Sequence, residues 1–153
     1  MKKYTQFPPV LLARATALCL RGRVHFSKSQ IGKTVQENEE FVIFRKVLVD
    51  PLENQPIKPM AIFKVYFRFS RFSEKTNEFL SLIPIPLIIA QPGFRSKTWL
   101  SGKDTGTFKG LYEWESIEDA EHYWDSLPLK LMKRRAIPDT LKYEIIELEG
   151  EIK

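Results

Sequence analysis

The most constraining feature of this sequence is an alternation of apolar and polar side chains over residues 61–69. One face carries Phe63, Val65, Phe67 and Phe69, and the other face carries Lys64, Tyr66 and Arg68. A period of two is typical of a β-strand with one buried face. The run therefore predicts a strand in a sheet that lies under an apolar layer. The opposite face is either solvated, or lines a site for an anionic or polar ligand, or meets another subunit.

The order of elements after residue 61 predicts the fold class. The expected elements are a strand at 61–69, a broken helix at 73–90, strands at 94–101 and 107–115, a helix starting at 116, and a strand at 141–148. Pro84 and Pro86 interrupt the first helix, because proline lacks an amide hydrogen and clashes with the preceding turn. Paired antiparallel, with both helices on one face, these strands form the ferredoxin-like α+β arrangement.

The side chains of these elements predict how the layers pack. Residues 82–83 and 87–89 are expected to cover the face of Phe63 and Phe67. In the strand at 94–100, strict alternation places Arg95, Lys97 and Trp99 on one face. The same alternation places Phe94, Ser96, Thr98 and Leu100 on the other face.

Gly110 lies inside the predicted strand at 107–115. Glycine weakens a strand interior, so it often marks a bulge or the close approach of a ligand or a neighbouring backbone.

Residues 1–60 are predicted to form an N-terminal extension to the domain at 61–153. Its expected parts are a helix at 10–20, a loop at 27–40, a strand at 41–49 and a proline-containing linker at 54–59. The helix is apolar nearly all round, so it must be covered. Packing on the domain or on a second subunit is favoured over a peripheral membrane anchor with basic flanks. The apolar run at 79–90 is too short to span a bilayer, so no transmembrane helix is expected.

Composition limits the classes of partner and site. A chain of 153 residues with a formal charge of +5 fits one mildly basic domain, so no nucleic-acid partner is expected. Cys19 is the only cysteine, which excludes an intrachain disulfide and fits a cytoplasmic protein. His25 and His122 lie far apart, so no metal site is predicted.

Apolar and aromatic side chains occur on both faces of the predicted strands, for example Tyr66 beside Phe67. Helices cover only one face of a ferredoxin-like sheet. A second copy of the chain is the simplest cover for the other face, which predicts a homodimer.

Candidate site residues each have a structural alternative. Trp114, Tyr112 and Phe108 share one strand face and form either core or a flat wall for an aromatic ligand. His122, four residues after Glu118, is either a surface residue, an acid or base, or an axial haem ligand.

Arg68, Arg95 and Lys97 are either solvated, at an interface, or bound to a carboxylate or phenolate. No histidine is placed beside a serine or threonine, so no nucleophile–base pair is predicted and no catalytic residue is assigned.

Three segments carry a resemblance to a known family. They are the turn Gln-Pro-Gly-Phe at 91–94, the strand containing Trp99 with its glycine-containing turn, and the run GLYEWESIEDAEHY at 110–123. Together they resemble the dimeric α+β barrel superfamily, and within it the small monooxygenases related to the antibiotic-biosynthesis monooxygenases. The resemblance spans residues 61–148 and does not extend to residues 1–60.

The resemblance implies a homodimer with one pocket per subunit between sheet and helices. Family members with known activity oxidise polycyclic phenols or quinols with O₂ and no added cofactor, degrade haem, or act as isomerases. The better-characterised members use an Asn on the first strand with Trp and His or Arg groups in the pocket. Residues 63–69 contain no Asn, so this chain departs from that pattern.

We therefore expect a cofactor-independent, monooxygenase-like protein that binds a small apolar or aromatic ligand. The expected ligand-binding residues are Arg68, Trp99, Tyr112, Trp114, His122 and Tyr123. No cofactor is predicted, with haem as the lesser alternative. The alternative function is a non-catalytic ligand-binding or interaction module, which would contact a membrane peripherally through its N-terminal helix.

Overall fold

The computed structural model describes residues 4–148, which form one antiparallel seven-stranded sheet with helices packed against it. The strands are β1 (Val24–Phe26), β2 (Thr34–Gln36), β3 (Glu40–Val49), β4 (Ala61–Arg68), β5 (Phe94–Gly102), β6 (Thr107–Trp114) and β7 (Lys142–Glu147). The helices are α1 (Pro8–Leu20), α2 (Glu74–Leu80), α3 (Ile85–Ile89), α4 (Ile117–Tyr123) and α5 (Leu127–Arg135), with a 3₁₀ turn at Pro138–Thr140.

The ferredoxin-like prediction is confirmed. From Ala61 onward the chain alternates strand, helices, strand, strand, helices, strand, and the four strands lie in the order β5-β6-β4-β7. β3 and β1 extend the sheet beyond β5, and β2 pairs with β3. Residues 24–49 therefore share one sheet with the rest of the chain, and the division at residue 60 remains a prediction from sequence.

The central strands alternate as their sequences predict. Phe63 pairs with Tyr112, and Val65 pairs with Gly110, in the register of β4 with β6. These side chains point toward the helices and are buried in the main core. Burial of this apolar face stabilises the sheet by about 25 cal/mol per Å² of surface removed from water.

Serine caps and prolines define the helix ends. Ser73, Ser116 and Ser126 each accept a hydrogen bond from a backbone amide in the first turn of α2, α4 and α5. Pro86 lies in the first turn of α3, where its missing amide hydrogen leaves no acceptor unpaired. The first predicted helix is broken by prolines, as expected.

The prediction that residues 82–83 cover the sheet as part of the core is wrong. Leu82 and Ile83 are exposed, whereas Ile85, Ile88 and Ile89 are buried in the core. The chain turns between α2 and α3, so the helical phase restarts at Pro84 and leaves residues 82–83 largely exposed, although Ile83 also lines the cavity described below.

The predicted loop at 27–40 is also wrong in part, because it contains the short strand β2. Thr34 and Gln36 pair with the start of β3, where Val42 and Glu40 lie opposite them. Residues 34–36 by themselves carry no strong strand pattern. The pairing follows from an adjacent strand edge rather than from local propensity.

A register shift in β5 moves one predicted side chain to the other face. Phe94 lies opposite Trp114, and Ser96 lies opposite Glu113, so one residue of β5 is extra. A bulge of this kind reverses the faces beyond it. Phe94 therefore joins Lys97 and Trp99 on the helix side instead of lying opposite them.

The other face of the sheet has a small apolar cluster of its own. Phe41, Ile43 and Leu100 are buried there, with Tyr66 packed against them. Glu37, just after β2, accepts hydrogen bonds from Tyr66 Oη and Lys109 Nζ. Burial alone would raise the pKa of Glu37, but these two donors outweigh it and the pKa lies below its usual value. The β2 segment thus covers part of this face.

Helix α1 packs on the domain, chiefly against α3. Leu11 and Ala15 are buried. Before the helix, Gln6 exchanges side-chain hydrogen bonds with Gln91 and accepts one from the Leu127 amide. Within residues 4–148, the structure has no helix with the length and apolar content that crossing a membrane requires.

Candidate ligand cavity between the sheet and the helices

A cavity of about 410 Å³ lies between the sheet and the helices. Its floor is formed by β4, β5 and β6, and its walls by α2, α3 and α5. The main apolar lining comprises Val65, Phe67, Trp99, Phe108, Leu80, Ile83, Leu87, Ile88, Leu131 and Met132. A concave apolar site with few polar groups is the usual form of a small-molecule site.

Gly110 makes room on the floor of the cavity. A Cβ atom at this position would lie 2.8 Å from Tyr112 Cε1, 3.2 Å from Val65 Cγ1 and 3.4 Å from Lys97 Cε. No register shift occurs at Gly110, so the bulge alternative is wrong, and the atoms nearest its would-be Cβ belong to side chains rather than to a neighbouring backbone. The absent side chain lets the Lys97 stem and the Tyr112 ring pack side by side.

Lys97 is the unusual polar group of the cavity. Its Nζ lies 4.4 Å from the ring centre of Trp99 and 4.5 Å from that of Tyr112. Within residues 4–148 no group accepts a hydrogen bond from this amine or forms an ion pair with it. Burial, with the positive charge of Arg45 as a second cause, holds the pKa of Lys97 well below its ordinary value.

Arg45 is fixed behind Trp99. Its guanidinium lies 5.3 Å from the Trp99 ring centre and donates hydrogen bonds to Ser81 Oγ and to the Glu78 carbonyl, the latter at 3.1 Å. This cation sits near the Lys97 amine and disfavours a second positive charge there. The β3 bulge between Ile43 and Arg45 sets its position.

Two tyrosine hydroxyls meet inside the cavity lining. Tyr123 Oη donates to Tyr112 Oη at 3.1 Å. Among the described residues, the Tyr112 hydroxyl has no acceptor for its own proton. Burial raises the pKa of both phenols, and for Tyr123 the neighbouring Tyr112 adds to the effect. Both are therefore neutral near pH 7, and Tyr112 retains a proton that it can donate.

The mouth of the cavity is basic. Arg134 and Arg135 lie there, and Arg135 donates to Asn77 Oδ1 at 2.6 Å while its guanidinium lies over the Phe69 ring. In the part of the chain that the structure describes, no Asp or Glu lines the cavity. An electron-rich or acidic ligand group is therefore favoured over a cationic one.

The structure brings together three of the six predicted ligand-binding residues. Trp99, Tyr112 and Tyr123 line the cavity. Trp114 lies behind them, in ring contact with Tyr112 and Tyr123 at 6.3 and 4.9 Å between centres.

The other two predicted residues lie elsewhere. Arg68 follows Phe67 in β4 and therefore points to the opposite side of the sheet, where it is exposed. His122 precedes Tyr123 by one helical position, which turns it to the surface, where it stacks on Tyr4 with ring centres 3.7 Å apart.

Sequence reasoning did not single out the buried amine. The sequence places Lys97 with Arg68 and Arg95 as a strand cation, yet the three have different surroundings. Arg95 reaches the carbonyl groups of Pro56 and Ile57, away from the cavity. The available signal was that Lys97 shares a face with Trp99, two residues away on one strand.

The residues present do not fit a haem held by His122. No histidine lines the cavity, and His122 is engaged with Tyr4 at the surface. Residues 4–148 also contain no group of three or more His, Cys, Asp or Glu side chains suited to a metal ion.

No protein-family model matches the sequence, and no curated protein matches it. Solved structures do match. An uncharacterised ferredoxin-fold protein related to antibiotic biosynthesis monooxygenases, from Listeria monocytogenes, has a TM-score of 0.53 at 17% identity over 77% of this chain and 69% of that chain. A haem-degrading enzyme from Listeria monocytogenes has a TM-score of 0.51 at 15% identity over 75% of this chain and 74% of that chain.

An anthrone oxidase-like protein has a TM-score of 0.51 at 16% identity over 73% of this chain and 55% of that chain. At these identities the likeness concerns the fold. The chain therefore has the ferredoxin-like fold of proteins related to the antibiotic-biosynthesis monooxygenases, as its motifs at 91–94 and 110–123 predict.

Proposed function

We propose that this chain is a monooxygenase-like oxidoreductase that binds a small aromatic molecule in the cavity and oxidises it with O₂, without a metal or organic cofactor. The observation that carries the proposal is the 410 Å³ apolar cavity with one amine, Lys97, projecting into it. The likeness to an anthrone oxidase-like protein and to a protein related to antibiotic biosynthesis monooxygenases supports this reaction class.

The proposed ligand is a fused-ring phenol or its keto tautomer. Its rings lie against Trp99 and Tyr112, and its acidic hydroxyl approaches Lys97 Nζ. Proton transfer breaks the ligand O–H bond and forms an N–H bond. The resulting ammonium is held over the two aromatic faces. The ligand anion is richer in electrons than the neutral phenol and therefore reacts more readily with O₂.

The overall reaction balances without another reductant. A ring CH₂ group loses two hydrogens, one oxygen atom becomes the new carbonyl oxygen, and the other leaves as water with those hydrogens. The substrate supplies all the electrons. Lys97 takes up a proton from the ligand and returns it to the leaving oxygen. A desolvated cavity strengthens each of these electrostatic interactions.

We also propose that the working form is a cytoplasmic homodimer. The half-buried apolar residues Ile62 and Leu111 on the free face of the sheet support a second copy as its cover. The lone Cys19 supports a reducing compartment.

Paired ligands test the proposal. 1-Naphthol is expected to raise the melting temperature of the protein more than naphthalene, since only the phenol can meet the Lys97 amine. The Lys97→Met variant, which keeps most of the side-chain length and removes the amine, should lose this difference and still bind naphthalene. Equal shifts for both ligands in the wild type, or no shift for either, would contradict the proposal.

Oxygen uptake tests the reaction itself. With anthrone as the substrate, the wild type is expected to consume O₂ faster than buffer or heat-denatured protein and to form anthraquinone. Lys97→Met should consume it at least about 100-fold more slowly, in the usual range for loss of a proton-transfer group. Binding of 1-naphthol without any O₂ uptake would leave a ligand-binding protein and reject the oxygenase.

The second candidate is a non-catalytic module that contacts a membrane surface. The observation that favours it is the exposed apolar side of α1, where Leu12 is 49% and Leu20 is 83% exposed near the basic Arg21. Because the same helix buries Leu11, removing it would disturb the fold. Leu12→Glu/Leu20→Glu is the better variant. The module would be supported if the wild type sediments with anionic vesicles and the Leu12→Glu/Leu20→Glu variant does not.

A further inference from the structure

We propose that Lys97 is also a nucleophilic amine, which captures a small apolar aldehyde or ketone in the cavity as an imine. This inference shares the cavity with the proposed function but concerns different chemistry. It requires no O₂ and no acidic hydroxyl on the ligand.

The amine of Lys97 is available for reaction. Lysine side chains normally stay at the surface, or are paired when buried. Lys97 is only 8% exposed, its Nζ has no hydrogen-bond acceptor among residues 4–148, and the side chain lines an apolar cavity. Trp99 and Tyr112 flank it with ring faces, which do not occupy a nitrogen lone pair.

The amine must also be unprotonated to react. Ring faces favour the ammonium form. Burial and the charge of Arg45 act against it and hold the pKa of Lys97 well below its ordinary value. A lysine that is both desolvated and close to another cation is a recognised form of activated amine nucleophile. An amine with an unperturbed pKa would be neutral in only about one molecule in 2,500 at pH 7.

The amine adds to a carbonyl group in the cavity. The nitrogen lone pair forms a C–N bond with the carbonyl carbon, and the carbonyl π pair moves to oxygen. That oxygen takes a proton and leaves as water after a second proton transfer. The net change is an amine plus a carbonyl giving an imine plus water, with no change in oxidation state.

The leaving oxygen also needs a proton donor. Tyr112 lies beside Lys97 and receives a hydrogen bond from Tyr123, while its own hydroxyl proton has no acceptor among the described residues. It is thus placed to donate into the cavity. The apolar lining, free of carboxylates, selects an uncharged carbonyl compound with a hydrocarbon or aromatic body.

Reductive trapping tests the inference on the full chain. The protein is incubated at pH 7 with benzaldehyde and cyanoborohydride, whose hydride reduces the imine to a stable secondary amine. Intact mass and peptide mapping are expected to show one benzyl group, on Lys97, formed at least about tenfold faster than on the exposed Lys103. Labelling of Lys97 no faster than Lys103 would overturn the inference.

Two variants complete the test. Lys97→Arg keeps a cation that cannot form an imine, and Lys97→Met keeps most of the side-chain length without the amine. Both should therefore lose the fast adduct and retain slow labelling elsewhere. Fast labelling that persists in both would assign the reaction to another lysine and reject the proposal. If either variant fails to fold, peptide mapping of the wild type alone still decides the site.

The two proposals fail separately. If 1-naphthol binds and slows trapping while O₂ uptake is absent, the amine site stands and the oxygenase falls. If anthrone is oxidised but benzaldehyde is not trapped at Lys97, the oxygenase stands and the imine site falls.

Discussion

At the scale of single residues, Lys97 places a cost on the folded state. Its pKa is depressed on folding, so between that depressed value and its ordinary 10.5 the unfolded chain holds a proton that the folded chain does not. Stability therefore rises with pH through this window. The groups facing the amine are Arg45, which stays charged, and the buried Tyr112, which stays neutral there.

We expect the free energy of unfolding to increase between pH 7 and 9.5 more steeply in the wild type than in Lys97→Met. One proton per molecule gives at most about 1.4 kcal/mol per pH unit. Urea denaturation of both proteins at several pH values measures the difference between their unfolding free energies. The contributions of the other titrating groups cancel in this difference. A difference that does not change with pH would contradict the neutral buried amine.

Gly110 is a second position where one residue sets the site. Gly110→Ala would place a Cβ 2.8 Å from Tyr112 Cε1, so the ring or the strand must shift. We expect a loss of about 1–3 kcal/mol in unfolding free energy, as for other overpacked cores, and weaker binding of 1-naphthol. Thr107→Ala, in the same strand and half-buried, is the control and should change stability by less than about 0.5 kcal/mol. Unchanged binding of 1-naphthol would show that the strand or the Tyr112 ring shifts without narrowing the cavity, and would contradict this prediction.

At the scale of elements, the turn before β5 and the start of α4 are built together. Gly93 has φ of +80°, and its carbonyl accepts a hydrogen bond from the Glu115 amide at 2.8 Å. The carboxylate of Asp119 lies against the Gly93 Cα and accepts hydrogen bonds from Ser116 Oγ at 2.8 Å and Tyr4 Oη at 2.9 Å. Two of the three motifs that carry the family resemblance, at 91–94 and 110–123, are thus in contact.

We expect Gly93→Ala to destabilise the protein by more than left-handed strain alone. A Cβ there would overlap the Asp119 carboxylate. Gly106→Ala is the matched control, since Gly106 has φ of +75° and no atom within 4 Å of its would-be Cβ. The control should lose about 1–2 kcal/mol and Gly93→Ala clearly more, measured by thermal or urea unfolding. Equal losses would mean that Asp119 moves away without cost.

Helix α1 is integral to the domain rather than an appendage that can be removed. Leu11 is fully buried, while the neighbouring Leu12 is 49% exposed. Leu11→Ala should lower the unfolding free energy by about 2–5 kcal/mol, as in other core truncations. Leu12→Ala should change it by less than about 0.5 kcal/mol. Similar effects of both changes in urea denaturation would contradict the packing of α1.

At the scale of the whole molecule, the sheet has one face under helices and another that is only partly covered. The segment after β2 covers the region of Tyr66 and Lys109 through Glu37, and Ile62 and Leu111 remain half-buried. A second copy packed on this face would remove both side chains from water.

We therefore expect light scattering to report twice the 17.9 kDa mass of the chain. Leu111→Arg, which places a charge on the free face, should shift the population toward the monomer. Phe79→Arg changes an exposed residue on α2 and should leave the mass unchanged. A wild-type monomer at micromolar concentration would reject the dimer.

Much of the fold follows from local rules in the sequence. The alternation in β4 and the proline break before α3 each predict an element that the structure contains. The order of these elements then leaves the ferredoxin-like sheet as the simplest antiparallel arrangement. These features depend on residues a few positions apart, so they can be predicted without a structure.

The cavity was decided only by the tertiary structure. The extra residue in β5 moves Phe94 to the helix side, and no local pattern marks it. Lys97 looks like any strand lysine until β3 brings Arg45 beside it and β6 brings Gly110 and Tyr112 beneath it. The sequence determined which side chains alternate on each strand. The depth of the cavity and the state of its amine were set by packing between distant segments, because burial and neighbouring charge arise only when those segments meet.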